Sequence, residues 1–290
     1  MIGRKSQTRL GYAERIARVA THIAGHLDGD LSLERLAGIA CLSPYHFHRI
    51  YRAMTGETTA ETARRLRLHR AAHGLVASQS SIARIANQAG YGSVAAFTRA
   101  FATSYGLAPA AYRRRGRLLP GAGRTHEEDG TMTSPWTVTL QPMSALRLAA
   151  IRHVGPYMEI GRAFDRLMPW AAARGLLGPD TVTVGVYYDD PGSVAAKDLN
   201  SDAGITVGPE IEGDGAVHII PIAAGTHAVL RHRGPYAELE RAYDWLYRAW
   251  LPASGHEPAD RPPYEIYRND PREVPAQDLV TDICLPLAGA

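Results

Sequence analysis

Arg152-His153-Val154-Gly155-Pro156-Tyr157 returns 79 residues later as Arg231-His232-Arg233-Gly234-Pro235-Tyr236. The correspondence runs on through Glu159/Glu238, Arg162/Arg241, Ala163/Ala242, Asp165/Asp244 and Leu167/Leu246. A second block recurs at a spacing of 80: Tyr187, Asp190, Pro191, Val194, Asp198, Leu199 and Asp202 against Tyr267, Asp270, Pro271, Val274, Asp278, Leu279 and Asp282. Two copies of one unit therefore build the C-terminal half, and a duplicated unit leaves a cleft at its pseudo-two-fold axis. Glu265 belongs to one copy only, because Gly185 holds the matching position in the other. A symmetric scaffold with an asymmetric charge marks the place to look for function.

Strand-like runs at 137–140, 146–152, 181–188, 217–222, 226–231, 265–267 and 279–285 surround two amphipathic stretches at 157–174 and 236–251. Each helix follows His-x-Gly-Pro-Tyr, where Gly-Pro turns the chain out of a strand. The order strand–helix–strand–strand per repeat predicts an α+β domain with a curved antiparallel sheet and its helices on one side. Tyr157, Tyr187, Tyr188, Tyr236, Trp250, Tyr264 and Tyr267 crowd the expected cleft. Strand alternation sets Glu265 and Tyr267 on one face and Tyr264 and Ile266 on the other. A carboxylate among aromatic faces binds a lipophilic cation by charge pairing and cation–π attraction. The same residues also fit an account in which the tyrosines are core and Glu265 is an exposed strand residue.

The 290 residues suffice for two domains with separate cores. Cys41 and Cys284 are the only cysteines, so no disulfide framework is expected and a cytoplasmic location is. No early stretch has the apolar run of a signal peptide, and none is long enough to span a bilayer. Net charge divides sharply. Residues 1–125 hold 19 Lys and Arg against 6 Asp and Glu; residues 126–290 hold 13 against 23. A net +13 on the first part points to nucleic acid, while the −10 on the second suits cations. Gly, Pro and mixed charge across 117–135 predict a flexible linker between domains at 1–116 and 136–290.

Residues 1–116 are expected to be almost wholly helical. Asp30 or Ser32 caps a helix over 33–40, and after a three-residue turn Ser43-Pro44 opens another. Phe47, Ile50, Tyr51 and Met54 face inward there, leaving Tyr45, His46, His48, Arg49 and Arg52 on the outer face until Gly56 ends the helix. The plan recurs 50 residues on. A short helix carrying Ile82, Ile85, Ala86 and Ala89 is followed by Gly90-Tyr91-Gly92, and Ser93 caps a helix with Phe97 and Phe101 inside. Val94, Ala95, Ala96, Thr98 and Arg99 fall outside. Two helix-turn-helix units joined by a helix through 60–76 can enter successive major grooves about 34 Å apart. Arg49 and Arg99 fit either a guanine edge or phosphate. His48 and Tyr45 suit phosphate or sugar, and the small residues near Val94 and Ala95 suit a thymine methyl. His69 and His73 lie four apart without a third ligand nearby, so they are expected to be solvated, and neither metal nor cofactor is expected.

The stretch 31–115, with its ending Gly106-Leu107-Ala108-Pro109-Ala110-Ala111-Tyr112-Arg113, resembles the DNA-binding domain of the AraC/XylS transcription regulators. That family usually carries glycine in the first turn, where Cys41 stands here. Cys41 therefore either tolerates a strained backbone or sits in a turn of different build. The run Trp250-Leu251-Pro252-Ala253-Ser254-Gly255, with Pro263-Tyr264-Glu265-Ile266-Tyr267 and Asn269-Asp270-Pro271, resembles the GyrI-like effector-binding domain. Its characteristic acid falls on Glu265. The resemblance implies a multidomain protein: an all-α double helix-turn-helix domain followed by an α+β domain of two strand–helix–strand–strand repeats. It also implies a transcription regulator, an activator by expectation, with promoter DNA, a small-molecule effector and RNA polymerase as partners and no membrane. The expected DNA-binding residues are Tyr45, His48, Arg49, Arg52, Ser93, Val94, Ala95, Thr98 and Arg99. The expected effector site is Glu265, Tyr267, Tyr187, Trp250, Tyr157 and Tyr236. The alternatives are a GyrI-like hydrolase, with Glu265 and Tyr187 or Tyr267 in acid–base roles, and a ligand-sequestering protein with an attached DNA reader.

Overall fold

The structure, a computed structural model, describes residues 2–116 and 136–289, with side chains from Gly11 onward. The expected linker at 117–135 lies outside the described residues. Seven helices come first: α1 (Ile2–Gly25), α2 (Leu33–Ala40), α3 (Pro44–Thr55), α4 (Thr59–Ala77), α5 (Ile82–Gln88), α6 (Val94–Tyr105) and α7 (Pro109–Arg115). Their starts follow local chemistry. Thr58 and Glu61 form a reciprocal capping box at α4, and the Ser93 hydroxyl accepts from the Ala96 amide at α6. Proline opens α3 behind Ser43, as the sequence predicts.

The turn between α2 and α3 resolves the Cys41 question. Cys41 has φ 53° and ψ 45°, the left-handed conformation, and it is the only non-glycine residue with positive φ among those described. Its amide bonds back to the Gly38 carbonyl, and the Leu42 amide reaches Ala37, so the turn keeps its shape and the side chain bears the strain.

The second half is one eight-stranded, fully antiparallel sheet built from β1 (Val138–Met143), β2 (Leu146–Val154), β3 (Thr183–Tyr187), β4 (Asn200–Thr206), β5 (Val217–Ile222), β6 (Gly225–Arg233), β7 (Tyr264–Tyr267) and β8 (Val280–Pro286). Its order, β1-β6-β8-β7-β3-β4-β2-β5, reads the same from either end under the repeat. The first strand of each copy is exchanged: β1 pairs with β6 and β5 with β2. The unit is therefore strand–strand–helix–strand–strand, one strand longer than the sequence suggests. The sequence pattern also misses β4. Asn200-Ser201-Asp202-Ala203-Gly204 has no apolar run, yet hydrogen-bond ladders to β2 and β3 hold it, and Gly204 leaves room for Leu148.

Several repeated residues serve this scaffold. Gly155 and Gly234 both sit at φ 138°, each with its amide on a carbonyl of the loop before the last strand, Leu199 and Leu279. Arg152 grips Asp202 through two bonds of 2.9 Å, and Arg231 grips Asp282 at 2.7 and 2.8 Å, so the matched Arg and Asp are cross-strand partners. The helices α8 (Gly161–Ala172) and α9 (Leu239–Trp245) cover the face that carries Gly185 and Glu265; α9 continues through a π-helical turn (Leu246–Trp250) into α10 (Leu251–Ser254).

The cores are not divided as two separate domains would divide them. Leu68, Leu75, Phe97, Phe101 and Tyr112 pack α4 to α7 into a core of their own. The core of the first helix-turn-helix, with Tyr12, Ile16 and Phe47, is continuous with Leu246, Leu251 and Leu287 of the second half. The loosely tethered arrangement that the linker suggests is thus replaced by direct packing, because α1 and α3 have a second apolar neighbour. Replacing Cys41 by Gly relieves the left-handed strain while losing little burial, since the side chain is exposed. Net stabilisation of about 0.5–1 kcal/mol is expected, read as a higher urea midpoint with an unchanged slope.

Candidate effector site and DNA-reading surfaces

At the centre of the sheet β3 pairs with β7, and Gly185 lies directly opposite Glu265. The asymmetry found in the sequence therefore sits at the pseudo-two-fold axis. A Cβ at Gly185 would lie 2.6 Å from the Tyr267 hydroxyl and 3.0 Å from that of Tyr187. The missing side chain in one copy makes room for both tyrosines over the acid in the other. Tyr187 and Tyr267 share a hydrogen bond of 2.6 Å, and Tyr267 donates to Glu265 Oε2 at 3.1 Å.

Around this pair opens a cavity of about 1310 Å³, lined by side chains of both copies. Tyr157, Tyr187, Tyr236, Glu265 and Tyr267 all line it, as the sequence predicts. The Tyr157 ring meets Tyr187 edge-on at 4.7 Å, and Tyr236 meets Tyr267 at 5.5 Å. Trp250 does not line it. It points into the core shared with the N-terminal half and stacks on His256, because the π-helical turn rotates it away. Tyr188 donates to Asp202 and Tyr264 packs against His227, so neither belongs to the cleft. Sequence reasoning misses Tyr243 and Tyr247, which stand where the first copy has Phe164 and Met168. The repeat could have found them. Glu265 is 3 % exposed, so the account of it as an open strand residue is wrong. Burial pushes its carboxyl up to about 7, held back by the Tyr267, Tyr243 and Tyr187 hydroxyls and by Arg49.

Arg49 is the larger surprise. The sequence assigns it, with His46, to the free outer face of α3; both are buried, Arg49 at 7 % exposure and His46 at 0 %. The C-terminal half covers that face. The Arg49 guanidinium lies 4.6 Å from the centre of the Tyr243 ring and 5.5 Å from that of Tyr247, and its Nη2 donates to the Asp189 carbonyl at 2.9 Å. Its Nε is buried without a partner. His46 Nε2 faces the Ala259 carbonyl at 2.9 Å and so carries the proton, leaving Nδ1 to accept from the Tyr247 hydroxyl at 2.8 Å. Burial, then the Arg49 charge, pushes His46 down to about 4, so it stays neutral. Arg52 bonds Asp244 at 2.8 Å, Tyr45 leans on Tyr188, and His48 is half-buried.

The second reading helix is uncovered. Ser93, Ala95 and Arg99 are exposed, Val94 is 43 % exposed and Thr98 is half-buried. His69 and His73 are exposed on α4, and among the described residues no group of three or more side chains is placed to hold a metal. Among them, too, no helix is long and apolar enough to cross a membrane.

Residues 137–288 match the family described as the GyrI-like small molecule binding domain, and residues 36–115 match a helix-turn-helix domain. The chain belongs to the GyrI-like family and carries an AraC-type helix-turn-helix domain ahead of it, which makes it a DNA-binding transcriptional regulator. Among its relatives is a DNA gyrase inhibitor of Serratia proteamaculans, 34 % identical over 140 residues that span 46 % of this chain and 88 % of that one. The MmsAB operon regulatory protein of Pseudomonas aeruginosa is 40 % identical over 96 residues, 33 % of this chain and 31 % of that one. The solved C-terminal domain of EcmrR is similar over 54 % of this chain and all of that one, at 18 % identity and a TM-score of 0.45.

Two expectations arise from the axis. Gly185→Ala forces the tyrosine pair apart and costs about 1–3 kcal/mol, measured by denaturant unfolding. The raised carboxyl of Glu265 means that the folded state holds its proton more tightly than the unfolded one. The stability this contributes is complete below the ordinary value of 4.5 and lost as pH rises through about 7. Wild type therefore loses on the order of 3 kcal/mol relative to Glu265→Gln across that window, as paired melts at pH 5 and pH 8 should read out.

Proposed function

We infer that this regulator senses a lipophilic cation, held by Glu265 within the cage of Tyr157, Tyr187, Tyr236, Tyr243 and Tyr267. One observation carries the reading: a carboxyl group buried on the symmetry axis, faced by tyrosines and open to a cavity of about 1310 Å³. A carboxylate there is costly without a partner, and a cation supplies one without needing a hydrogen-bonding shell of its own. Tyrosine faces add attraction for the same charge.

The domain at 136–290 is the sensor and the domain at 1–116 the reader, joined through 117–135. On DNA, Tyr45, His48, Arg49 and Arg52 serve the first recognition helix, and Ser93, Val94, Ala95, Thr98 and Arg99 the second. The protein acts in the cytoplasm as an activator that contacts RNA polymerase at the promoter. It is not an enzyme; the cage has hydroxyls and one acid, and the attached DNA reader suits a sensor. Release of product from an ester or amide substrate, lost on Glu265→Gln, is the result that would replace this reading with a hydrolase.

The test is calorimetric titration of the full chain with an aromatic quaternary phosphonium. Wild type is expected to bind, and Glu265→Gln to bind at least about tenfold more weakly, the loss of one buried charge pair. Affinity is expected to rise about tenfold per pH unit up to about 7 and level off above it, since the cation needs the ionised carboxyl. Equal binding by the variant rules out Glu265 as the anchor.

A further inference from the structure

The effector cavity already holds a cation, and it comes from the helix that should read DNA. Arg49 on α3 lines the same cavity as Glu265. Its guanidinium is stacked over Tyr243 and Tyr247, its Nη2 bonds the Asp189 carbonyl, and its Nε points at no acceptor. A planar, weakly hydrated cation on tyrosine rings is the chemistry expected of a bound ligand there. Arg99, the residue at the same place in the second unit, is exposed. The two reading helices thus differ in one respect: the first is held by the effector-binding domain and the second is free of it.

A helix cannot enter a major groove while its outer face is buried. The His46 bonds to Tyr247 and Ala259 and the Arg52 bond to Asp244 hold α3 against the same wall. We propose that Arg49 is the resident occupant of the effector cavity, and that an effector bearing a planar guanidinium or amidinium group on an aromatic body takes its place and frees the first recognition helix for DNA. The proposal rests on the sensor reading above and adds the ligand's head group and the means of control. Effector and recognition helix compete for one tyrosine cage, so the coupling needs no path through the linker. Tyr247 is the hinge of the competition, since its ring carries Arg49 and its hydroxyl holds His46.

The test titrates a fluorescent naphthylguanidinium, with the neutral naphthylurea as its isostere, into the full-length wild type, Arg49→Gln and Glu265→Gln. Amide exchange of residues 44–55 is monitored by mass spectrometry in parallel. Removing the internal competitor raises apparent affinity by the inverse of the open fraction, so Arg49→Gln is expected to bind the guanidinium about tenfold more tightly than wild type. Saturating probe is expected to speed exchange across 44–55 in wild type to the rate seen in free Arg49→Gln, with no effect of the urea. Arg49→Gln binding no tighter than wild type, or an α3 that stays protected at saturation, overturns the proposal. Loss of binding in Glu265→Gln alongside either of those results leaves the carboxylate site standing and removes only the competition. Equal binding by Glu265→Gln removes the sensor reading itself. If Arg49→Gln does not fold, Tyr247→Phe keeps the ring and deletes the bond to His46. It is expected to speed α3 exchange, and unchanged protection in it counts against the proposal equally.

Discussion

Everything in the second half depends on one backbone pairing, β3 against β7, which joins the two copies of the repeat across their axis. Because the ladder is antiparallel about that axis, one pair of equivalent positions, 185 and 265, faces itself there, and its two side chains compete for one small volume. Two carboxylates facing each other across that joint would repel in a dry environment, and two bulky groups would not fit. One acid opposite one glycine satisfies both limits. The glycine lets Tyr187 and Tyr267 close over the acid, and their hydroxyls offer hydrogen bonds to a group that burial would otherwise hold protonated.

The same sheet accounts for many of the repeated residues. Arg152 with Asp202 and Arg231 with Asp282 tie the second strand of each copy to the last. The glycines before the Pro-Tyr pairs let the chain leave a strand at a backbone angle that other residues resist. The cavity is lined by departures from the repeat: Glu265 for Gly185, Tyr243 for Phe164, and Tyr247 for Met168.

The join between the halves gives the molecule its second asymmetry. Both helix-turn-helix units have similar apolar cores, yet α1, α3 and the start of α4 share theirs with the GyrI-like domain while the rest of α4 closes on α5 to α7. Burying a guanidinium is tolerable here because two tyrosine faces and a carbonyl replace water. The neutral His46, with both nitrogens satisfied, adds no second charge to the interface.

Periodicity and local start signals determined most of the elements: the Ser43-Pro44 opening of α3, the Ser93 cap of α6, the inward Phe47, Phe97 and Phe101, the two amphipathic helical stretches of the second half, and Glu265 beside Tyr267 on one strand face. These rest on interactions within a few residues or on a duplication, and both are written along the chain. The strand β4, the exchange of β1 and β5, the displacement of Trp250 and the burial of Arg49 were decided by tertiary structure. Each depends on a neighbour distant in sequence or on a local departure from helical geometry. A ladder on both edges holds the polar strand, and the far copy's sheet edge receives the exchanged ones. A π-helical turn swings Trp250 out of register, and an aromatic wall from the other end of the chain covers the arginine. A helical pattern shows which face of α3 meets its own domain. Only packing can show that the opposite face has a partner as well.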